Sequence, residues 1–449
     1  MPLWFETVLL PQGWTDSVRL HIAQGRIAQV ETSASPEADD ERHAIGIPGL
    51  GNVHSHGFQR GMAGLAEVRG PQHDNFWTWR EAMYRFVDRL NPEQIGAITA
   101  LAYVEMLESG FTRVGEFHYL HHDISGAPYA NLAETAEQIA AAAAATGIGL
   151  TLLPVFYAHS NFGGAPPAAG QRRFINTPEQ FAELMKLSRK AVAALPDAQV
   201  GIAPHSLRAV TPDELNAIVP LADGSPIHIH AAEQMKEVDD CRAWSGKRPL
   251  QWLLDNTEMD AAWCVIHATH LTPAEVSQLA KSGAVAGLCP VTEANLGDGI
   301  FRTQDYLSCG GRIAVGTDSN VQIDAAAELR SLEYAQRLIS RTRNVLARAE
   351  GESVGRQLFE TTLAGGAQAL GQAEVGLREG SPADLVSLDA NDPHLVARKE
   401  DAILDSWIFA NAEMDCVWRA GRKVVEGGRH IARDSVAAAY AKAIESVLN

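Results

Sequence analysis

The sequence lacks paired cysteines. Its five (Cys241, Cys264, Cys289, Cys309 and Cys416) are odd in number, widely scattered, and form no C-x-x-C pair. That pattern excludes a disulfide framework and leads us to expect reduced thiols in a cytoplasmic protein. Basic charge is scarce too: 37 Lys and Arg face 55 Asp and Glu, a formal net charge of −18. Nucleic acid and anionic membranes need a basic face to neutralise phosphates, so neither is expected as a partner. An acidic small molecule stays possible, because a pocket can be locally basic. The opening MPLWFETVLL has neither the basic start nor the long apolar stretch of a signal peptide. Only one uncharged run, 139–158, is long enough to span a bilayer. Its Ala-rich half stops at Gly147 and β-formers follow up to Pro154, which reads as helix, glycine turn and buried strand. There is no long internal repeat.

What is present is alternation. The 449 residues, 46% hydrophobic, are enough for one large domain and a smaller one. Eight apolar runs of strand length recur between stretches of helical periodicity: LGNVHSH (50–56), TRVGEFHYL (112–120), IGLTLLPVF (148–156), QVGIAPHS (199–206), PIHIHAAE (226–233), WCVIHATH (263–270), AVAGLCP (284–290) and RIAVGTDS (312–319). Eight βα units predict an α/β fold, a (β/α)8 barrel of the TIM type, over 49–374. Thr177-Pro178, Thr211-Pro212 and Thr272-Pro273, each with Glu or Gln three residues after the Thr, predict helix starts. Asn91-Pro92 opens another. Residues 1–48 and 375–449 fall outside the pattern. SVRLHIAQGRIAQVE reads as a β-hairpin around Gly25, and ADLVSLD, DSWIFA and MDCVWRAGRKVVEGG read as short strands. Neither end can bury a core alone, so both are expected to join in one small β-sandwich, with 435–448 helical.

In such a barrel the active site forms at the C-terminal ends of the strands. His54 and His56 end the first strand, His230 and Glu233 the fifth, His267 the sixth and Asp318 the eighth. Residues two apart on a strand face the same side, so His54 and His56 can share an ion. With 16 histidines in the chain a bare H-x-H is weak; the convergence of three histidines and an aspartate at strand ends is stronger. His228 reads as a satisfied core residue. Three imidazoles and one carboxylate suit one divalent ion, zinc first, with Fe2+ or Mn2+ as alternatives. Such an ion lowers the pKa of water from 15.7 to about 7. Glu233 can face the same water, or can be the acidic start of the next helix. His267 and His270 compete for one functional place; His267 directly ends its strand.

VHSH, HIHAAE, IHATH and VGTDSN after strands one, five, six and eight, with GRI in the opening hairpin and EVGLREGSPADLVSLD near the end, resemble the amidohydrolase superfamily, specifically its mononuclear deaminase branch. The resemblance covers essentially the whole chain. The binuclear branch bridges its ions with a lysine on strand four; QVGIAPHS offers none. The resemblance implies that Asp318 is a ligand that also takes the proton of the attacking water. Glu233 then shuttles a proton to the substrate nitrogen, and His267 polarises the tetrahedral centre. It also implies a homodimer.

Substrate is a finer question. HSHGFQRGMAG, FWTWREAMYRF, GEFHYLHH and APHSLRAV resemble the members of this branch that act on N-formimino-L-glutamate in histidine degradation. A substrate with two carboxylates wants arginines. Arg80 and Arg208 are the candidates, Arg208 because it lies just beyond strand four, while Arg80 sits in an aromatic tract read as a loop. Gln59, Tyr119 and His205 are candidates for the substrate's other polar groups. His118, His121, His122 and His159 are read as structural. The alternatives are an aromatic base or nucleoside deaminase (guanine, cytosine or thiomethyladenosine type) and, remotely, a non-catalytic barrel used for assembly.

Overall fold

Each Thr-Pro pair opens a helix in the computed structural model, which describes residues 2–70, 73–373 and 375–449. Thr177, Thr211 and Thr272 accept a hydrogen bond from the backbone three residues on, and the Gln or Glu there accepts one back, at the starts of Pro178–Val192, Pro212–Ile218 and Pro273–Ser282. Asn91 does the same for Pro92–Glu108. Two otherwise orphaned donors are satisfied reciprocally, and each proline stands where its missing N–H costs nothing. The long uncharged run splits as its composition predicts. Helix Glu134–Thr146 stops at Gly147, whose φ is 81°, and strand Gly149–Phe156 follows, buried throughout. Among the described residues no helix is long and apolar enough to cross a membrane.

The eight apolar runs form strands Leu50–Ser55, Phe111–His118, Gly149–Phe156, a fourth in two pieces (Gln199–Val200 and Ala203–Pro204), Ile227–Ala231, Trp263–His267, Val285–Leu288 and Arg312–Val315. The fourth breaks at Gly201, where a Cβ would fall 2.4 Å from the carbonyl oxygen of Pro226. The first four make one parallel sheet and the last four another. Parallel bridges Ser55–Asp318, Ile202–Ile227 and Ser206–His230 tie the two sheets along both edges. Both are α/β layers whose strands are buried on both faces, which is why they read as near-continuous apolar runs.

The chain ends share a third, eight-stranded sheet. Strand Glu41–Pro48 pairs in parallel with Leu3–Leu10 and antiparallel with Leu385–Leu388, so hydrogen bonds join the two termini. The expected hairpin is there: Gly13–Ala23 and Arg26–Glu31 turn at Gln24 and Gly25, both with positive φ (52° and 77°), the backbone a two-residue hairpin needs. Phe5, Val8, Leu20, Ile27, Leu385 and Trp418 pack its core. One reading is corrected: DSWIFA is part of helix Asp401–Ala410, not a strand. Ile403, Leu404, Trp407 and Ile408 are buried, a helical spacing masked by the run's overall apolarity. Helix Arg433–Leu448 closes the chain. The expected boundary between 374 and 375 touches Glu374, outside the described residues.

Buried charge locks the terminal sheet onto the parallel strands. Arg113 (2% exposed) pairs with Asp197 at 2.7 Å, and Arg419 (4%) pairs with the same carboxylate and with Asp384 at 3.2 Å. Gly149 makes room, since a Cβ there would lie 2.5 Å from the Arg419 guanidinium. Removing the shared partner leaves buried Arg113 without an ion pair and Arg419 with Asp384 alone. Asp197→Ala is expected to cost about 3 kcal/mol, the lower end for a broken buried pair because Asp197 is partly exposed. A urea midpoint equal to that of the parent protein would show that the network is not stabilising.

Candidate active site

Strands one and eight meet at a glycine. A Cβ on Gly316 would lie 2.7 Å from the His54 nitrogen, so only glycine lets the two backbones touch. There the Asp318 N–H donates to the His54 carbonyl (2.9 Å) and the His56 N–H to the Asp318 carbonyl (3.0 Å). Asn52 fixes the turn: its amide donates to Thr317 Oγ1 and accepts from the Thr317 N–H, while Asn320 donates to Ser55 Oγ and the His56 carbonyl. Ala232, His267, Ala268, Asp318 and Asn320 all have positive φ between 45° and 65°. Left-handed backbone at five non-glycine residues, all just where the fifth, sixth and eighth strands end, is strain held by the surrounding bonds, as functional sites often show.

The four expected ligands are brought together. His54, His56, His230 and Asp318 are buried, and their ligand atoms all lie within 4.8 Å of one another. The Nδ1 of His56 donates to the Phe117 carbonyl and that of His230 to the His205 carbonyl, both at 2.9 Å, so each neutral ring presents a lone pair at Nε2. Burial pushes the His54 imidazole down to about 3, and that of His230 also falls well below its ordinary value. Yet His56 Nε2 faces Asp318 Oδ1 at 3.2 Å, and His54 Nε2 faces His230 Nε2 at 3.1 Å and Asp318 Oδ1 at 3.3 Å. One proton on His54 could satisfy a single one of these contacts. Four converging electron-rich atoms repel unless a cation lies among them, so the donor set fits a divalent ion. For Asp318, burial favours the neutral acid, but the close approach of His54 and His56 outweighs it and holds the carboxyl well below the usual range.

Glu233 and His267 stand beside this cluster. His267 Nε2 is 3.8 Å from Glu233 and 3.9 Å from Asp318 Oδ2, and its Nδ1 is held by Glu293 at 3.3 Å. Burial disfavours the imidazolium, but Glu233, Glu293 and Asp318 together raise it to about 10. Burial also pushes Glu233 up to about 6, against the charges of His267 and of Arg208, 3.7 Å away. Glu237, fully buried, accepts from the backbone N–H groups of Ala232 (3.0 Å) and Glu233 (3.2 Å) and so shapes the turn that carries Glu233. Glu237 and Glu293 escaped the sequence reading; the one available signal was an acidic residue in the first turn of the helix after each strand.

One cavity receives all the remaining candidates. Gln59, Arg80, Tyr119, His205 and Arg208 line it with His56, His230, Glu233, His267 and Asp318. The Gln59 amide donates to the Tyr119 hydroxyl at 2.8 Å. The aromatic tract that carries Arg80 is not a loop but helix Phe76–Val87, capped by Asn75. Buried residues at 76, 83, 86 and 87 give it helical spacing. Tyr157 and Phe174, which the sequence did not single out, also line the cavity. The histidines read as structural have structural partners: His118 with Thr135, His121 and His122 with backbone carbonyls, His159 with Glu214, and His228 with the Ala369 carbonyl. His270 lies outside the lining, His267 within it.

Residues 45–424 match the family described as "Amidohydrolase family", and residues 5–44 match "Formimidoylglutamate deiminase HutF, N-terminal domain". The chain belongs to the amidohydrolase family. Over its full length it is 50% identical to the formimidoylglutamate deiminase of Pseudomonas aeruginosa, 99% of which is covered. The 5-methylthioadenosine/S-adenosylhomocysteine deaminase of Natronomonas pharaonis is 28% identical over 82% of this chain and 78% of its own. Among solved structures, an amidohydrolase from Brucella melitensis is 55% identical with a TM-score of 0.98, both chains covered in full. An adenosine deaminase from Xanthomonas campestris with bound zinc shares the fold at 22% identity and a TM-score of 0.81, covering 99% and 97% of the two chains.

Proposed function

We propose that this protein hydrolyses N-formimino-L-glutamate to N-formyl-L-glutamate and ammonia, a step of histidine degradation. The observation that carries the reading is the pairing, in one cavity, of a buried His3Asp cluster with two arginines that make no close carboxylate contact among the described residues; the nearest is Arg208 to Glu233 at 3.7 Å. The full-length similarity to the Pseudomonas aeruginosa deiminase supports the same substrate. A purine or pyrimidine offers nothing for two guanidiniums to neutralise, so the nucleobase alternative fits less well.

His54, His56, His230 and Asp318 would hold one divalent ion, zinc by preference of the donor set. When bound, that ion supplies the charge that makes water a stronger acid at neutral pH. Asp318 Oδ1 is engaged by two histidines, which leaves Oδ2 to take a proton from the attacking water. The water oxygen forms its bond to the formimino carbon while His267 polarises the centre. Glu233, raised toward neutrality by burial, passes a proton to the terminal nitrogen. The proton held by Asp318 follows to the same nitrogen, the bond from carbon to it breaks and ammonia leaves; the hydroxyl proton returns to Glu233, so the formyl group stays on the amino acid and both carboxyls are restored. Arg80 and Arg208 bind the two carboxylates; Gln59, Tyr119 and His205 hold the polar groups between.

We also take the two parallel sheets as halves of one (β/α)8 barrel spanning 49–374, supported by the bridges along both edges. Residues 1–48 with 375–449 then form the composite β domain, supported by their common sheet. A cytoplasmic homodimer accords with the resemblance and with five free cysteines.

The deciding experiment is an ammonia-release screen across formimino amino acids and purines, with metal content measured on the same sample. N-formimino-L-glutamate should be the preferred substrate, and chelation should abolish release until zinc, iron or manganese is returned. No ammonia from this substrate with metal-loaded protein would reject the reading.

A further inference from the structure

We propose that Trp77 is the positioning residue that holds both substrate-binding guanidiniums ready, an inference that rests on the carboxylate reading above. Three cations gather on this one indole. Arg80 Cζ lies 4.6 Å from the ring centroid, Arg208 Cζ 5.7 Å and Lys236 Nζ 5.7 Å. They come from three segments: helix Phe76–Val87, the stretch after the fourth strand, and the first turn of helix Met235–Ser245, three residues beyond Glu233. Trp77 itself does not line the cavity, so its ring stands behind the arginines that do.

The need for such a platform follows from the chemistry of the clamp. A guanidinium kept for a substrate carboxylate cannot be held by a resident carboxylate, which would compete for the same donors. Arg80 has no ion pair among the described residues, Arg208 has only Glu233 at 3.7 Å, and the Nε of each is buried without a hydrogen-bond partner. Something else must fix their planes. An aromatic face attracts a cation electrostatically and leaves every N–H free. Tyr84 lies 5.5 Å from Arg80 and Phe76 6.0 Å from Arg208, but of the rings that contact these cations Trp77 is the one common to both. Lys236 is engaged separately by Asp240 at 2.7 Å.

The test compares Trp77→Leu, which removes the π face, with Trp77→Phe, which keeps one, in the metal-loaded enzyme. Trp77→Leu should raise KM for N-formimino-L-glutamate about tenfold while kcat stays within about twofold, and Trp77→Phe should stay within about threefold on both. The Kd of N-formyl-L-glutamate, measured by calorimetry, should move in parallel with KM. If Trp77→Leu does not fold, Trp77→Met repeats the comparison with a flexible apolar side chain. Unchanged KM and Kd, equal losses in the Leu and Phe variants, or a fall confined to kcat would each overturn the inference. A parent enzyme that releases no ammonia overturns the substrate reading instead, which keeps the two failures distinct.

Discussion

Asp318→Asn is expected to lower kcat by about 10^3-fold or more, with a smaller change in KM. The substitution is nearly isosteric, so the backbone turn held by Asn52, Thr317 and Asn320 should survive. Charge and basicity are what disappear. An amide oxygen still meets His54 and His56, but it cannot accept a proton, and it contributes no negative charge among three imidazoles. General base catalysis alone accounts for about 10^2 to 10^4 in rate. Because Asp318 is also an expected ligand, metal content should fall with activity, and supplying excess metal should restore occupancy without restoring rate. That separation matters: recovery of full rate with excess metal would make Asp318 a ligand only. A variant within tenfold of the parent would remove Asp318 from the chemistry altogether.

The cluster of three histidines and Asp318 was legible because strand ends were. Once RIAVGTDS and LGNVHSH are read as neighbouring parallel strands, Asp318 and the His54/His56 pair must meet, and they do, across hydrogen bonds of 2.9 and 3.0 Å. The choice of His267 over His270 followed from the same rule. What stayed hidden depends on side-chain direction between segments far apart in sequence. Glu293 reaches His267 across 26 residues, and Asn52 reaches Thr317 across 265. No periodicity encodes such pairs. The left-handed residues at 232, 267, 268, 318 and 320 were equally silent, since none is glycine and their backbone is imposed by the contacts around them. The tract FWTWREAMYRF misled through composition: its aromatic residues drew attention from a helical spacing and an Asn cap. Broken strand four was recognisable as apolar but not as two short pieces, because the break reflects a close approach to Pro226.

Arg208→Ala tests the substrate reading most directly, and its effect should fall on KM. Arg208 is 5% exposed and lines the same cavity as the metal cluster. Truncating one partner of a charge-assisted hydrogen bond at a desolvated site costs about 2–5 kcal/mol, so kcat/KM for N-formimino-L-glutamate should drop by about 30-fold or more. Arg80 is half-buried, and Arg80→Ala should cost less. Arg208→Lys should recover only part of the loss, since an ammonium supplies charge without the planar fork that matches a carboxylate. A neutral formimino compound lacking carboxylates discriminates the causes. Its slow turnover should be nearly indifferent to Arg208→Ala if the guanidinium binds substrate. Equal losses on charged and neutral compounds would instead mean that Arg208 acts through Glu233, 3.7 Å away, and would return the nucleobase deaminases to contention.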